Sequence, residues 1–223
     1  MSSLSYNQES MVEMKTENVL QDEAGLREIY GCAGERAVLK VQKKLDQHCR
    51  DFIARSPFLV IGSSRPNGHA DVSPRGDPPG FVHVADDHTL LIPDRPGNNR
   101  LDTMTNVFEN PKVGLLFFIP GLEETLRVNG DARIITDAAE LARFEFQRHI
   151  PHAAIEVTVH EAFLHCAKAL KRSHLWDEGS KIDRKSFTRP AQIFSDHVKG
   201  GMSADEVEVY LEENYRNGLY SRD

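Results

Sequence analysis

Three separated runs of the chain put guanidinium and carboxamide groups beside glycine: Ser73-Pro-Arg75-Gly76, Arg95-Pro-Gly97-Asn98-Asn99-Arg100 and Arg127-Val-Asn129-Gly130. A guanidinium fork grips two phosphate oxygens at once, and glycine lets backbone N–H groups come close to an anion. Together the runs suit a phosphorylated small molecule. Gly97 to Arg100 stands directly before a helical stretch, where unpaired N–H groups and the helix dipole favour negative charge. The same residues would serve as an ordinary helix cap with a solvated arginine, and the run alone does not separate the two readings. Ser73 and Arg75 share a strand face with His69 and Asp71 by the two-residue period. An exposed, ion-paired sheet face is the plain alternative there. Arg127 and Asn129 lie on the polar face of an alternating strand, placed either to read the edge of a heteroaromatic ring or to face solvent. Later, Lys168 and Arg172 stand four apart on a predicted helix, with the sole tryptophan, Trp176, one turn beyond. Like charges at that spacing repel by about 0.2–0.5 kcal/mol unless something negative lies between them. Trp176 is either a lip over a flat ligand or an anchor for its helix.

Other chemistries find less support. The formal net charge is -7 and the pI ≈ 5.8, which argues against a nucleic-acid partner, since phosphate backbones demand a surplus of Lys and Arg. His149 and His152 have a possible metal spacing, but Pro151 between them breaks a helical presentation and no cysteine or carboxylate set completes a site; no metal is expected. There is no nucleophile elbow, Walker-type loop or dinucleotide fingerprint, and no pair of carboxylates stands out for acid–base work. Reactive chemistry is therefore expected from a cofactor. Cys32, Cys49 and Cys166 are odd in number and widely spaced, as in a reducing compartment. The polar start of the chain and the lack of a long apolar run predict a cytoplasmic protein without a membrane span.

The elements that must position these groups follow from periodicity. Residues 1–22 read as a mobile arm, 23–200 as the main domain and 201–223 as a C-terminal helix. A helix is expected from Gly34 to Arg55, with Val38, Val41, Leu45, Phe52 and Ile53 at three- and four-residue steps. Short strands follow at 58–61, 69–75, 81–84 and 89–92, with Asn67-Gly68 marking a hairpin. A short helix from Asn99 to Glu109 would carry Leu101, Met104 and Phe108 on one face. Val113 to Ile119 suits a strand buried on both sides, Leu126 to Ile134 alternates, and Ile155 to Phe163 adds another strand. Ser203 with Glu206 predicts a capping box. Six or seven short strands joined mostly by hairpins predict a mainly β antiparallel barrel with peripheral helices.

In this order the motifs resemble the FMN-binding split-barrel family related to pyridoxamine 5′-phosphate oxidase. The resemblance rests on Ser73-Pro-Arg75-Gly76, then Leu91-Ile-Pro-Asp94 leading to Gly97-Asn98-Asn99-Arg100, then Glu109-Asn-Pro-Lys-Val-Gly-Leu-Leu-Phe117 and Leu126-Arg-Val-Asn-Gly130. Cys166-Ala-Lys-Ala-Leu-Lys-Arg-Ser173 with Leu175-Trp176 is similar to the late segment of one bacterial branch, and about residues 25 to 200 are covered. The resemblance implies a homodimer with FMN at the subunit interface and an FMN-dependent oxidoreductase acting on a small molecule, with oxygen or NAD(P)H as the electron partner. Arg75 and Arg100 with Asn98 and Asn99 would hold the phosphate, Ser73 would be a further cofactor-binding residue, and the backbone at Ile92 and Pro93 would line the isoalloxazine. Arg127 and Asn129 would approach the flavin ring or ribityl chain, and Lys168, Arg172 and Trp176 would come from the partner. A flavin or haem carrier or sensor, and a deazaflavin-dependent reductase, are the alternatives on the same barrel. The oxidase's substrate segment is not recognisable in Tyr215-Arg-Asn-Gly-Leu-Tyr220, so a substrate other than vitamin B6 phosphate is expected.

Overall fold

The computed structural model describes residues 19–198 and 201–221. It divides into a short unit ending at Leu39 and a larger one from Lys40 onward. The short unit holds α1 (Glu23–Tyr30) and α2 (Glu35–Leu39). Asp22 caps α1 by accepting from the Gly25 N–H at 2.9 Å, and Gly31 at φ 67° ends it. Residues 1–18 of the expected arm lie outside the described residues.

The larger unit begins with α3 (Gln47–Arg55) and then alternates short strands with turns. Strands β1 (Phe58–Ser64), β2 (Ala70–Gly76), β3 (His83–Val84) and β4 (Thr89–Pro93) precede α4 (Asp102–Glu109). Then come β5 (Lys112–Phe118), β6 (Thr125–Ile135), the short α5 (Ala138–Ala142) and β7 (Ala154–His165). Helices α6 (Lys168–Ser173), α7 (Pro190–His197) and α8 (Ala204–Asn217) follow. The seven strands form one open sheet in the order β2-β1-β5-β6-β7-β4-β3, with every pairing antiparallel. The antiparallel strands with peripheral helices are those expected from the strand spacing, and the open sheet is the β + α split barrel that the resemblance implies. Ser203 and Glu206 form the capping box at the start of α8.

One sheet face makes the core. Leu59 and Ile61 of β1, Leu115 and Phe117 of β5, Leu126 and Val128 of β6, and Ile155 and Val157 of β7 are buried together. Cys49, Phe52 and Ile53 of α3 belong to the same cluster. Burial of each large side chain stabilises the fold by about 1.5–3 kcal/mol. Strand β5 is buried on alternate residues, with Leu116 and Phe118 only half-buried, so its unbroken apolar run fills one face fully and the other in part.

Two expectations about helices are corrected. The single helix over 34–55 is two helices, because Gln42 leaves the helical path to pair with Ala162 of β7, and Asp46 caps a new start by accepting from the Cys49 N–H at 2.8 Å. Val38 is consequently 59% exposed. In α4 the buried face is Thr103, Asn106 and Val107, whereas Leu101 lies before the helix and Phe108 is 76% exposed. Hydrogen bonds explain the inversion: Asn106 donates to Ser63 Oγ at 3.0 Å and accepts from Arg65 Nε at 3.1 Å. Satisfied polar groups can be buried at little cost, and a search for apolar period overlooks them.

Gly130 sits where the β6–β7 register shifts, and a β-carbon there would lie 2.2 Å from the Thr158 carbonyl oxygen and 2.9 Å from Val157 Cγ1. Gly130→Ala is expected to lower stability by about 1–3 kcal/mol in denaturant unfolding, because backbone must move to admit the methyl group. Thiol chemistry gives a second expectation. Burial, reinforced by the Asp46 carboxylate, pushes the Cys49 thiol up to about 11, whereas Cys32 and Cys166 are exposed. Alkylation at mildly alkaline pH should label Cys32 and Cys166 and spare Cys49 until unfolding. Because the raised value favours the neutral thiol, its contribution is complete below pH 9.0 and is lost as pH rises through about 11.

Candidate functional site

The ends of β2 and β4 belong to separate regions of the sheet: β2 is one edge, and β4 is next to the other. They nonetheless meet around one cavity of about 320 Å³, lined by Ser73–Gly76, Phe81, Pro93–Leu101 and the first turn of α4. The sheet must therefore curl until its two sides face each other. Ser73, Arg75, Pro93, Asn98, Asn99 and Arg100, which are far apart in sequence, are brought together here.

Each group is held differently. The Arg75 side chain is largely buried: it donates from Nη1 to the Pro74 carbonyl oxygen at 2.8 Å, while its Nε has no hydrogen-bond partner. Burial pushes the guanidinium below its ordinary value, against the opposing pull of Asp94 and Asp71. An arginine remains charged regardless, so the cavity wall contains a cation with one unused donor. Ser73 is different. Its hydroxyl lies 3.1 and 3.0 Å from the two Asp71 carboxylate oxygens, to which it donates, so its proton is committed and only its lone pairs remain for a ligand. Thr103 also donates to Asp71, at 2.8 Å, which ties the start of α4 to β2.

The loop between β4 and α4 is shaped by its own contacts. Asn98 Oδ1 accepts from the Arg100 N–H at 3.1 Å, and Arg100 Nε donates to Asp102 at 2.7 Å. Asn99 and Leu101 both have φ of 58°. The left-handed region suits asparagine, but for leucine it carries strain, of the kind that concentrates at binding sites. Leu101 supplies no side-chain cap to α4, whose first turn faces the cavity. An uncapped helix start beside arginines favours an anion.

Across the gap between the two sides runs an ion pair. Arg95 Nε lies 2.6 Å from Asp77 Oδ2; the Asp77 side chain is 1% exposed and that of Arg95 16%. Asp77 directly follows β2 and Arg95 closely follows β4, so the pair clasps the split where no strand ladder joins it.

The remaining expected residues lie elsewhere in the chain. Ile92 is fully buried in the core, and only its backbone is available to a ligand. Arg127 and Asn129 form a cluster on β6 and β7: Arg127 Nε donates to Asn129 Oδ1 at 3.2 Å, and Asn129 Nδ2 donates to Glu161 at 2.6 Å. The Arg127 guanidinium also lies 5.3 Å from the centre of the Phe163 ring. Lys168 and Arg172 are exposed on or beside the surface of α6, and Trp176 donates from Nε1 to the Leu122 carbonyl oxygen at 2.9 Å. None of these six lines the cavity within one chain. Among the described residues no group of His, Cys, Asp and Glu is arranged to hold a metal, and no helix is long and apolar enough to cross a membrane. Asp71 shares the strand face that the two-residue period predicts for Ser73, whereas Asp77 and Thr103 find their partners on other elements and nothing in the local spacing marks them.

The family model for pyridoxamine 5′-phosphate oxidase matches residues 45–166, more than half of the chain, and the chain belongs to that family. No curated protein matches it. Among solved structures it is similar to HupZ of Group A Streptococcus, at 19% identity and TM-score 0.44, over 53% of this chain and 92% of that one. It is also similar to a protein related to general stress protein 26 from Clostridium acetobutylicum, at 13% identity and TM-score 0.41, over 53% and 85% of the two chains. A third is an FMN-binding protein from Syntrophomonas wolfei, at 8% identity and TM-score 0.41, over 65% and 97%.

Because Asp77 is buried, Arg95→Ala should cost about 3–5 kcal/mol of unfolding free energy by leaving a carboxylate unpaired. The double substitution Arg95→Met with Asp77→Leu, which removes both charges, is expected to recover much of that loss in the same urea titration.

Proposed function

We propose that this protein is an FMN-dependent oxidoreductase whose cofactor phosphate occupies the cavity between the ends of β2 and β4. The observation that carries this reading is the Arg75 guanidinium, largely buried in the cavity wall with an unpartnered Nε donor. A buried donor left unpaired costs about 1–3 kcal/mol, and an anionic ligand would repay it. The donor set fits a terminal monophosphate: Arg75 and Arg100, the amides of Asn98 and Asn99, and the uncapped first turn of α4. Membership of the pyridoxamine 5′-phosphate oxidase family supports the same reading.

Bound flavin supplies two-electron transfer, which this chain's own side chains cannot perform. The protein's part is to bind, orient and exclude water. Arg75 and Arg100 neutralise the phosphate. Ser73, its proton held by Asp71, accepts rather than donates, and so favours a ligand hydroxyl or N–H group over a phosphate oxygen. Pro93 lines the cavity and Ile92 directly precedes it on β4, so the backbone there would flank a flat ring. A cavity of about 320 Å³ is at the small end of ligand sites, which run to about 1,000 Å³. A second copy of the chain is therefore proposed to complete it, with Arg127, Asn129, Lys168, Arg172 and Trp176 as the contributing residues. The substrate is a small organic molecule, with oxygen or NAD(P)H as the electron partner.

Reconstitution with excess FMN, followed by gel filtration and absorbance, tests the reading; the flavin spectrum should elute with a dimer. Protein that emerges colourless would overturn it. Arg75→Ala and Arg100→Ala should each weaken FMN binding by about 1.5–3 kcal/mol, read by quenching of flavin fluorescence. Rapid reduction of the bound flavin by NADPH would distinguish turnover from simple carriage.

A further inference from the structure

The chain after α8 returns to the Asp77–Arg95 ion pair. Tyr220, 143 positions beyond Asp77, donates its hydroxyl to Asp77 Oδ1 at 2.6 Å. Arg95 occupies the other carboxylate oxygen, so the two together satisfy an almost fully buried anion. The Arg95 guanidinium also lies 5.3 Å from the centre of the Tyr220 ring, and Phe146 packs against the same ring with centroids 4.8 Å apart. Three contacts of different kinds thus converge on one side chain.

We propose that Tyr220 is a positioning residue for the cavity: it locks the Asp77–Arg95 clasp, and through the clasp it sets how firmly the loop from Asp94 to Leu101 is held against a ligand. The inference rests on the reading of that cavity as the FMN site. Asp94, Arg95 and Pro96 line the cavity on one side and, on the other, a smaller space of about 180 Å³ that Tyr220 and Ser221 help to close. This loop segment is therefore the wall between ligand and strap. With the hydroxyl removed, Oδ1 of Asp77 is left buried without its donor, and Arg95 must move to serve both oxygens. A loop that carries Asn98, Asn99 and Arg100 then loses its fixed end. Burial, followed by the adjacent Asp77 carboxylate, pushes the phenol up to about 12, so the hydroxyl stays a donor across the ordinary pH range.

The relation is reciprocal: if Tyr220 stabilises the ligand-holding loop, a ligand there must stabilise the Tyr220 segment. The test is hydrogen–deuterium exchange on the full chain, wild type against Tyr220→Phe and Tyr220→Ala. Without ligand, both variants should exchange the loop's hydrogen-bonded amides, Asp94 (to the Ala153 carbonyl oxygen) and Arg100 (to Asn98 Oδ1), about tenfold faster or more, while β5, β6 and β7 keep wild-type rates. Unchanged loop exchange overturns the proposal, and so does uniform acceleration through the sheet, which would mark a merely structural role. With saturating FMN, exchange at 218–221 should slow in the wild type and not in Tyr220→Phe, whose FMN dissociation constant should rise about tenfold. Equal FMN affinity in the two proteins overturns the coupling. Failure of the wild type to bind FMN removes the proposed function, and the ligand-free exchange then decides the clamp by itself.

Discussion

A curled sheet with an open seam needs something other than backbone hydrogen bonds to hold the seam, and here that is a buried ion pair. Asp77 follows the strand at one edge, Arg95 the strand beside the other, and they meet at 2.6 Å with the carboxylate hidden from water. Such a pair adds little net stability over an apolar contact of the same shape. What it adds is geometry, because a carboxylate deprived of solvent tolerates few arrangements of its donors. The position of the β4–α4 loop, and of every group it carries, follows from that restriction.

The electrostatics of the cavity are more balanced than a list of arginines implies. Arg95 is spent on Asp77, and Arg100 leans on Asp102. Arg75 differs in being largely buried with a donor unused. Acids near the site act mainly as supports: Asp71 gathers the hydroxyls of Ser73 and Thr103 and so joins β2 to α4.

Much of this was legible in the linear text. Alternation along β6, the hairpin at Asn67-Gly68 and the capping box at Ser203 and Glu206 are local signals, and each is found in the fold. The helix before the sheet departs from its sequence pattern because Gln42 finds a long-range partner in Ala162, and a period of three and four residues cannot report such a contact. The buried face of α4 departs from its apolar pattern because two of its buried residues, Thr103 and Asn106, are polar and matched with partners on β2 and β1. Of the residues expected to bind ligand, those on β2 and in the loop after β4 share a cavity. Arg127, Asn129 and the α6 group do not reach it within one chain.

Residue order by itself determined the strands, their antiparallel succession and the presence of anion-seeking groups, since these depend on neighbours two to four positions apart. Tertiary structure alone decided which of those groups converge, which are neutralised by an acid, and that Tyr220 closes on Asp77 across 143 residues. The physical reason is range. Backbone periodicity acts over a few residues, whereas the pairing of a buried charge depends on how far the sheet curls, and that is a property of the whole core.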